Sequence, residues 1–163
     1  MRSIGIRDIS RERFKPHTPV PAEHPLHRMR SMVDSPLEAL HDWLHLACPA
    51  PAGCSIAPEQ LVRALLLQVL YSFRRNRQLI EQVWYSKLFR WFVGIRLDQP
   101  KWNQAIFSRY REQLLDHEII REILVRVLSQ ASREGLVSAE AVASGRTELS
   151  LRAIEPARRF AQR

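Results

Sequence analysis

Apolar positions along the chain recur at three- and four-residue spacing and set out a series of helices. From His24 onward, Leu26, Met29, Met32 and Val33 fall on one face at offsets 0, 3, 6 and 7. Ser35-Pro36-Leu37-Glu38 follows, with a serine to cap, a proline at the first helical position and a glutamate at the third. That arrangement predicts a new helix starting at Pro36. Its apolar residues are Leu37, Leu40, Leu44 and Ala47, and it ends near Pro49. The proline-rich stretch to Cys54 reads as a loop. Pro58 opens the strongest stripe, with Leu61, Leu65, Leu66, Val69, Leu70 and Phe73 at offsets 0, 4, 5, 8, 9 and 12. Phe73-Arg-Arg-Asn-Arg77 is a polar break. A shorter helix then runs through Leu79, Ile80, Val83 and Trp84. Ser86 is placed to cap the next, which carries Leu88, Phe89, Trp91 and Phe92 and closes at Gly94. After a turn at Asp98-Gln-Pro100, a basic, aromatic helix is predicted from about Asn103 to Leu115. Asp116 is placed to cap a last long helix bearing Ile119, Ile120, Ile123, Leu124, Val127, Leu128 and Ala131. Gly135 followed by Leu136 fits a glycine C-cap with its usual apolar contact.

No stretch alternates with period two for long enough to predict a strand. The fold class is therefore all-α: a multi-helix domain over residues 24–137 with a helix-turn-helix-like element. Residues 1–23 mix charges with prolines and are expected to form a flexible arm. Beyond Leu136 the helical pattern fades, and residues 138–163 are expected to form a poorly ordered tail.

Composition narrows the chemistry. The chain has 163 residues, 45% of them apolar, enough for one packed domain. Five glycines leave little room for phosphate-cradling glycine loops. The net charge is +8, and among 25 basic residues the lysines are Lys15, Lys87 and Lys101 alone. Guanidinium forks match phosphate oxygens, so this arginine excess favours a nucleic-acid partner, although an arginine-rich coding bias produces the same composition. No apolar run approaches the ~18–20 residues of a membrane helix, and the charged N-terminus has no secretory pattern. With two cysteines, the expectation is a cytoplasmic protein with no membrane association.

His41 and His45 share a helix face, and Cys48 and Cys54 follow closely. The spacing matches no common zinc finger, so we assign no metal and no cofactor. The acids are dispersed, and no nucleophile has a base beside it, so no catalytic residues are assigned. The tryptophans (Trp43, Trp84, Trp91, Trp102) read as core anchors. The stronger signal is basic. Arg74, Arg75 and Arg77 cluster at an interhelical junction. On the helix carrying Phe107-Ser-Arg-Tyr-Arg111, the pattern sets Ser108, Arg109, Arg111 and Glu112 apart from the Phe107, Tyr110 and Leu114 face. A Ser/Arg face behind a helix and a turn is what a major-groove reader needs. The candidate DNA-binding residues are thus Arg74, Arg75, Arg77, Ser108, Arg109 and Arg111.

Several ordered blocks carry a family resemblance. His24-Pro-Leu-His-Arg-Met-Arg-Ser-Met-Val-Asp34 resembles the opening of bacterial transposases of the insertion-sequence-five family, as do residues 55–71. Arg77-Gln-Leu-Ile-Glu-Gln82, Leu88-Phe-Arg-Trp-Phe-Val-Gly94, Trp102, Phe107-Ser108 and Arg111 continue it in order. The resemblance covers about residues 14–140. It implies the helical N-terminal domain of such a transposase, which contributes recognition of terminal inverted repeats in double-stranded DNA and protomer association. The implied partners are such DNA and a second copy or a full-length transposase. The family's DDE carboxylates belong to a separate, magnesium-binding domain. Where their first aspartate is expected, this chain reads Val142-Ala-Ser-Gly-Arg-Thr147, so no catalytic residue carries over. Ala105-Ile106 departs from the hydroxyl residue usual before Phe107. The resulting expectation is a transposase-derived DNA-binding domain that is not an enzyme, truncated by a frameshift near its end. The alternatives are a decayed fragment and a dominant-negative regulator.

Overall fold

A computed structural model describes residues 23–140 together with 142 and 143. Among them the secondary structure is helical throughout: α1 (Pro25–Ala39), α2 (His41–Ala47), α3 (Pro58–Leu70), α4 (Asn76–Tyr85), α5 (Lys87–Val93), α6 (Gln104–Leu115) and α7 (Glu118–Arg133). No strand occurs among the described residues, as the lack of period-two alternation implies. The arm expected over 1–23 lies outside the described residues except for Glu23, as does the tail beyond Ala143. Helical backbone returns at 139–140 and 142–143, where Val142 is buried against the core.

Helix α3 is the axis of the domain. Ten of its residues, from Pro58 to Leu70, are buried. The helix packs against α1, α2, α4, α5 and α7. A helix apolar on nearly all sides can only sit inside. Helix α1 lies against α7 and α5, and α6 closes the bundle against α4 and α7.

Several predicted stops and caps are in place. The Ser86 Oγ accepts from the Phe89 N–H at 3.3 Å and opens α5. Asn103 Oδ1 accepts from the Ile106 N–H at 3.1 Å and opens α6. After α7 the Leu136 N–H donates to the Ala131 carbonyl (2.8 Å) and the Gly135 N–H to Ser132 (3.0 Å), with Gly135 at φ +73. This pair of bonds is a Schellman closure, and it needs the left-handed residue that glycine supplies.

Two predicted helix starts are corrected. No helix begins at Pro36: α1 runs through it and ends at Ala39, and the chain breaks at Leu40 instead. A proline inside a helix loses one backbone bond and costs about 3 kcal/mol. Here Leu26, Met29, Val33 and Leu37 form one unbroken stripe, each at most 3% exposed. Burying such side chains is worth ~1.5–3 kcal/mol apiece, which outweighs the proline. Asp116 does not cap α7. Its own N–H bonds to the Glu112 carbonyl at 3.2 Å as the last turn of α6, and its φ/ψ of −66/−22 is helical. The extended residue a cap requires is His117, whose ring meets Trp43 edge-on at 5.3 Å.

Candidate nucleic-acid interface

The arginine junction lies at the C-terminal end of α3. The helix closes with the same two bonds as α7: Phe73 N–H to Gln68 carbonyl at 3.0 Å and Ser72 N–H to Val69 carbonyl at 3.3 Å. Here the left-handed position belongs to Ser72, at φ +54, among the described residues the one non-glycine with positive φ. Phe73 then packs on Tyr71 and Phe89. These contacts fix the turn, and Arg74 and Arg75 project from it into solvent. Arg77 stands on the first turn of α4, three-quarters exposed, paired with Glu81 at 3.2 Å. An exposed i,i+4 pair of this kind is worth under about 1 kcal/mol and yields readily to a phosphate.

A chain of neutral side chains joins this junction to α6. Gln68 Nε2 donates to Asn76 Oδ1 at 3.2 Å, and Asn76 Nδ2 donates to Ser108 Oγ at 3.0 Å. The start of α4 is thereby held against the middle of α6, so the segment Arg74–Arg77 and the segment Ser108–Arg109 adjoin. Arg109 is exposed on α6. Arg74, Arg75 and Arg109 have no acidic partner among the described residues.

Arg111 is the correction within this group. It is not on the exposed face: it is 4% exposed, and its Nε donates to Gln68 Oε1 at 2.9 Å. The buried stripe of α6 is Phe107, Tyr110, Arg111, Leu114 and Leu115. Those are the i, i+3, i+4, i+7 and i+8 positions of one helix face, so the spacing allows Arg111 an inward place, which the Gln68 acceptor makes tolerable. Its charge hid that signal. Ser108, half-buried and bonded to Asn76, ties two helices together instead of standing free.

The tryptophans divide. Trp102 is buried and stacks on Phe107 at 5.5 Å. Trp84 and Trp91 are half-buried, with Arg90 over the first at 5.3 Å and Arg30 over the second at 4.8 Å. The cysteines do not join the histidines. Cys48 is buried, with its carbonyl accepting from the Tyr110 hydroxyl at 2.8 Å. Cys54 Sγ accepts from the Ile56 N–H at 3.4 Å. Burial pushes both thiols above their ordinary range, which keeps them protonated and unreactive. His41 and His45 instead meet Glu59, a residue the sequence pattern did not single out.

Among the described residues, then, the chain is an all-helical domain with an arginine-lined junction. The family places it further: the chain belongs to the transposase domain family DUF772, whose model matches residues 14–113. The match takes in α1 to α5 and most of α6. No curated protein and no solved structure matches the chain. Among the described residues no helix is long and apolar enough to cross a membrane.

Proposed function

We propose that this chain binds double-stranded DNA at the terminal inverted repeats of an insertion sequence, as a transposase domain of the insertion-sequence-five type. Arg74, Arg75 and Arg77 hold phosphates, and Arg109 reaches base edges. The observation that carries this reading is the Asn76–Ser108 bond, which sets two arginine segments side by side, three of whose guanidinium groups have no acidic partner among the described residues. Membership of a transposase domain family supports DNA as the partner. The chain carries out no strand transfer of its own in this reading. In support, the sequence reads Val142-Ala-Ser-Gly-Arg-Thr147 where the family's first catalytic aspartate is expected.

Fluorescence anisotropy with inverted-repeat and scrambled duplexes, at several salt concentrations, tests it. Affinity should fall steeply with salt as condensed counterions are released. Arg74→Ala and Arg75→Ala should weaken both duplexes alike and flatten the salt slope. Arg109→Ala should reduce the preference for the repeat by about 1–3 kcal/mol. A parent protein with no salt-dependent binding to either duplex would overturn the proposal. Equal loss on both duplexes for Arg109→Ala would remove that residue from base reading.

A further inference from the structure

At the opposite end of α3, roughly 18 Å along the helix axis from the arginine junction, three side chains with metal-ligating atoms converge. His41 and His45 lie one turn apart on α2, and Glu59 sits in the first turn of α3. His41 Nδ1 is 2.8 Å and His45 Nε2 3.0 Å from one and the same carboxylate oxygen, Glu59 Oε1. The two imidazole rings are 4.4 Å apart, tilted at 50°. One donor atom from each of the three residues lies within 4.8 Å of the others.

We propose that His41, His45 and Glu59 form a binding site for a zinc ion. Two imidazoles and one carboxylate are a ligand set that zinc takes, with a fourth position left to water. Zinc bonds of ~2.0–2.1 Å in tetrahedral array set ligand atoms roughly 3.3 Å apart. The two nitrogen-to-oxygen distances therefore need to open by a few tenths of an ångström, and the two imidazole nitrogens, which lie within 4.8 Å of each other, to close toward the same spacing by rotation of the rings. The rings have room to do so, since the His41 side chain is 60% and the His45 side chain 48% exposed. Glu59, at 16%, is the more fixed of the three.

The surroundings fit. His41 and Glu59 line an open cavity of about 570 Å³, shared with Asp34, Glu38, Gln60 and Arg63, so water reaches the fourth position. Two cysteines nearby in sequence stay out of the site, one buried and the other bonded to Ile56. A zinc ion here would add a cross-link between α2 and α3, two helices that already pack together. The site does not depend on the DNA reading.

Zinc titration by calorimetry on the full chain, after chelator treatment and dialysis, tests the inference. Cobalt(II) substitution is followed by visible absorption. The parent should bind one equivalent of zinc more than the double variant His41→Gln/His45→Gln, and should give the intense bands of four-coordinate cobalt. Glu59→Gln should weaken zinc at least about 10-fold while circular dichroism shows the helices retained. Cys54→Ser should leave binding unchanged. Thermal midpoint should rise with zinc in the parent and stay flat in the double variant. Zinc stoichiometry equal in parent and double variant, or no zinc binding by the parent, would overturn the site. DNA affinity measured in chelator reports separately on the arginine junction.

Discussion

The two ends of α3 solve one problem, holding polar side chains inside a helical bundle, in different ways. At the N-terminal end charge meets charge. Arg63 donates through Nε and Nη2 to Asp34 Oδ1 at 3.0 and 2.8 Å, and through Nη1 to the Val93 carbonyl at 3.3 Å. Beside it, Gln60 and Gln99 exchange amide hydrogen bonds, both of 2.9 Å, and close the loop 94–103 onto the helix. At the C-terminal end a deeper arginine, Arg111, meets a neutral amide, Gln68, and no acid among the described residues. The first arrangement keeps a partly hydrated ion pair; the second buries a cation and leaves Arg74, Arg75 and Arg109 without acidic competitors among the described residues, Arg77 alone of the junction arginines pairing with an acid, Glu81. An anion-binding surface is better served by the second, because every carboxylate placed there would compete with phosphate.

The largest expected effect comes from breaking the deeper end. Gln68→Leu removes the acceptor from a cation that is 4% exposed, and should cost about 3–5 kcal/mol by urea denaturation. Arg111→Met removes the charge while keeping a long apolar side chain, and should fall within about 1 kcal/mol of the parent. Adding it to Gln68→Leu should recover most of the loss. At the other end Asp34→Leu should cost less, about 1–3 kcal/mol, since Arg63 keeps the Val93 carbonyl and some solvent. If Asp34→Leu costs more than Gln68→Leu, the contrast between the two ends is wrong.

Alkaline pH should also loosen the C-terminal end. Burial pushes the Tyr71 hydroxyl up to about 12. The folded state therefore holds that proton more tightly than the unfolded chain, whose tyrosine titrates near 10. Its contribution is intact below about pH 10 and is lost as pH rises through about 12, up to about 2–3 kcal/mol in all. Tyr71→Phe should flatten the pH dependence of stability in that window. A variant as steep as the parent would place the alkaline sensitivity elsewhere.

The smallest effect sharpens the comparison at the turn that presents Arg74 and Arg75. Ser72 occupies a left-handed position for which glycine suits better. Ser72→Gly should raise stability by about 0.5–1 kcal/mol, read from the denaturation midpoint. A loss instead would mean that the serine's reduced freedom in the unfolded chain matters more than strain in the fold.

Local pattern accounts for what could be read in advance. Ser86, Asn103, Gly94 and Gly135 mark helix ends because caps and left-handed closures act through neighbours only a few residues away. The α3 stripe names the central helix because a segment apolar on most sides has one place to go. The arginine clusters were visible for the same reason: they are short runs, and the turn after α3 exposes them. What the sequence did not settle depends on contacts made across the bundle. Whether α1 stops at Pro36 was decided by how much apolar surface α3, α5 and α7 offer to Leu37 and its stripe. The inward placement of Arg111 was set by a partner 43 residues earlier, Gln68, that lets a charge occupy a core position. Glu59 joins His41 and His45 only because the loop 48–57 folds α3 back against α2, bringing together side chains 18 and 14 residues apart. Periodicity tells which face of a helix is apolar. Only tertiary packing tells which polar residues that face can hold, because their cost depends on partners supplied by other helices.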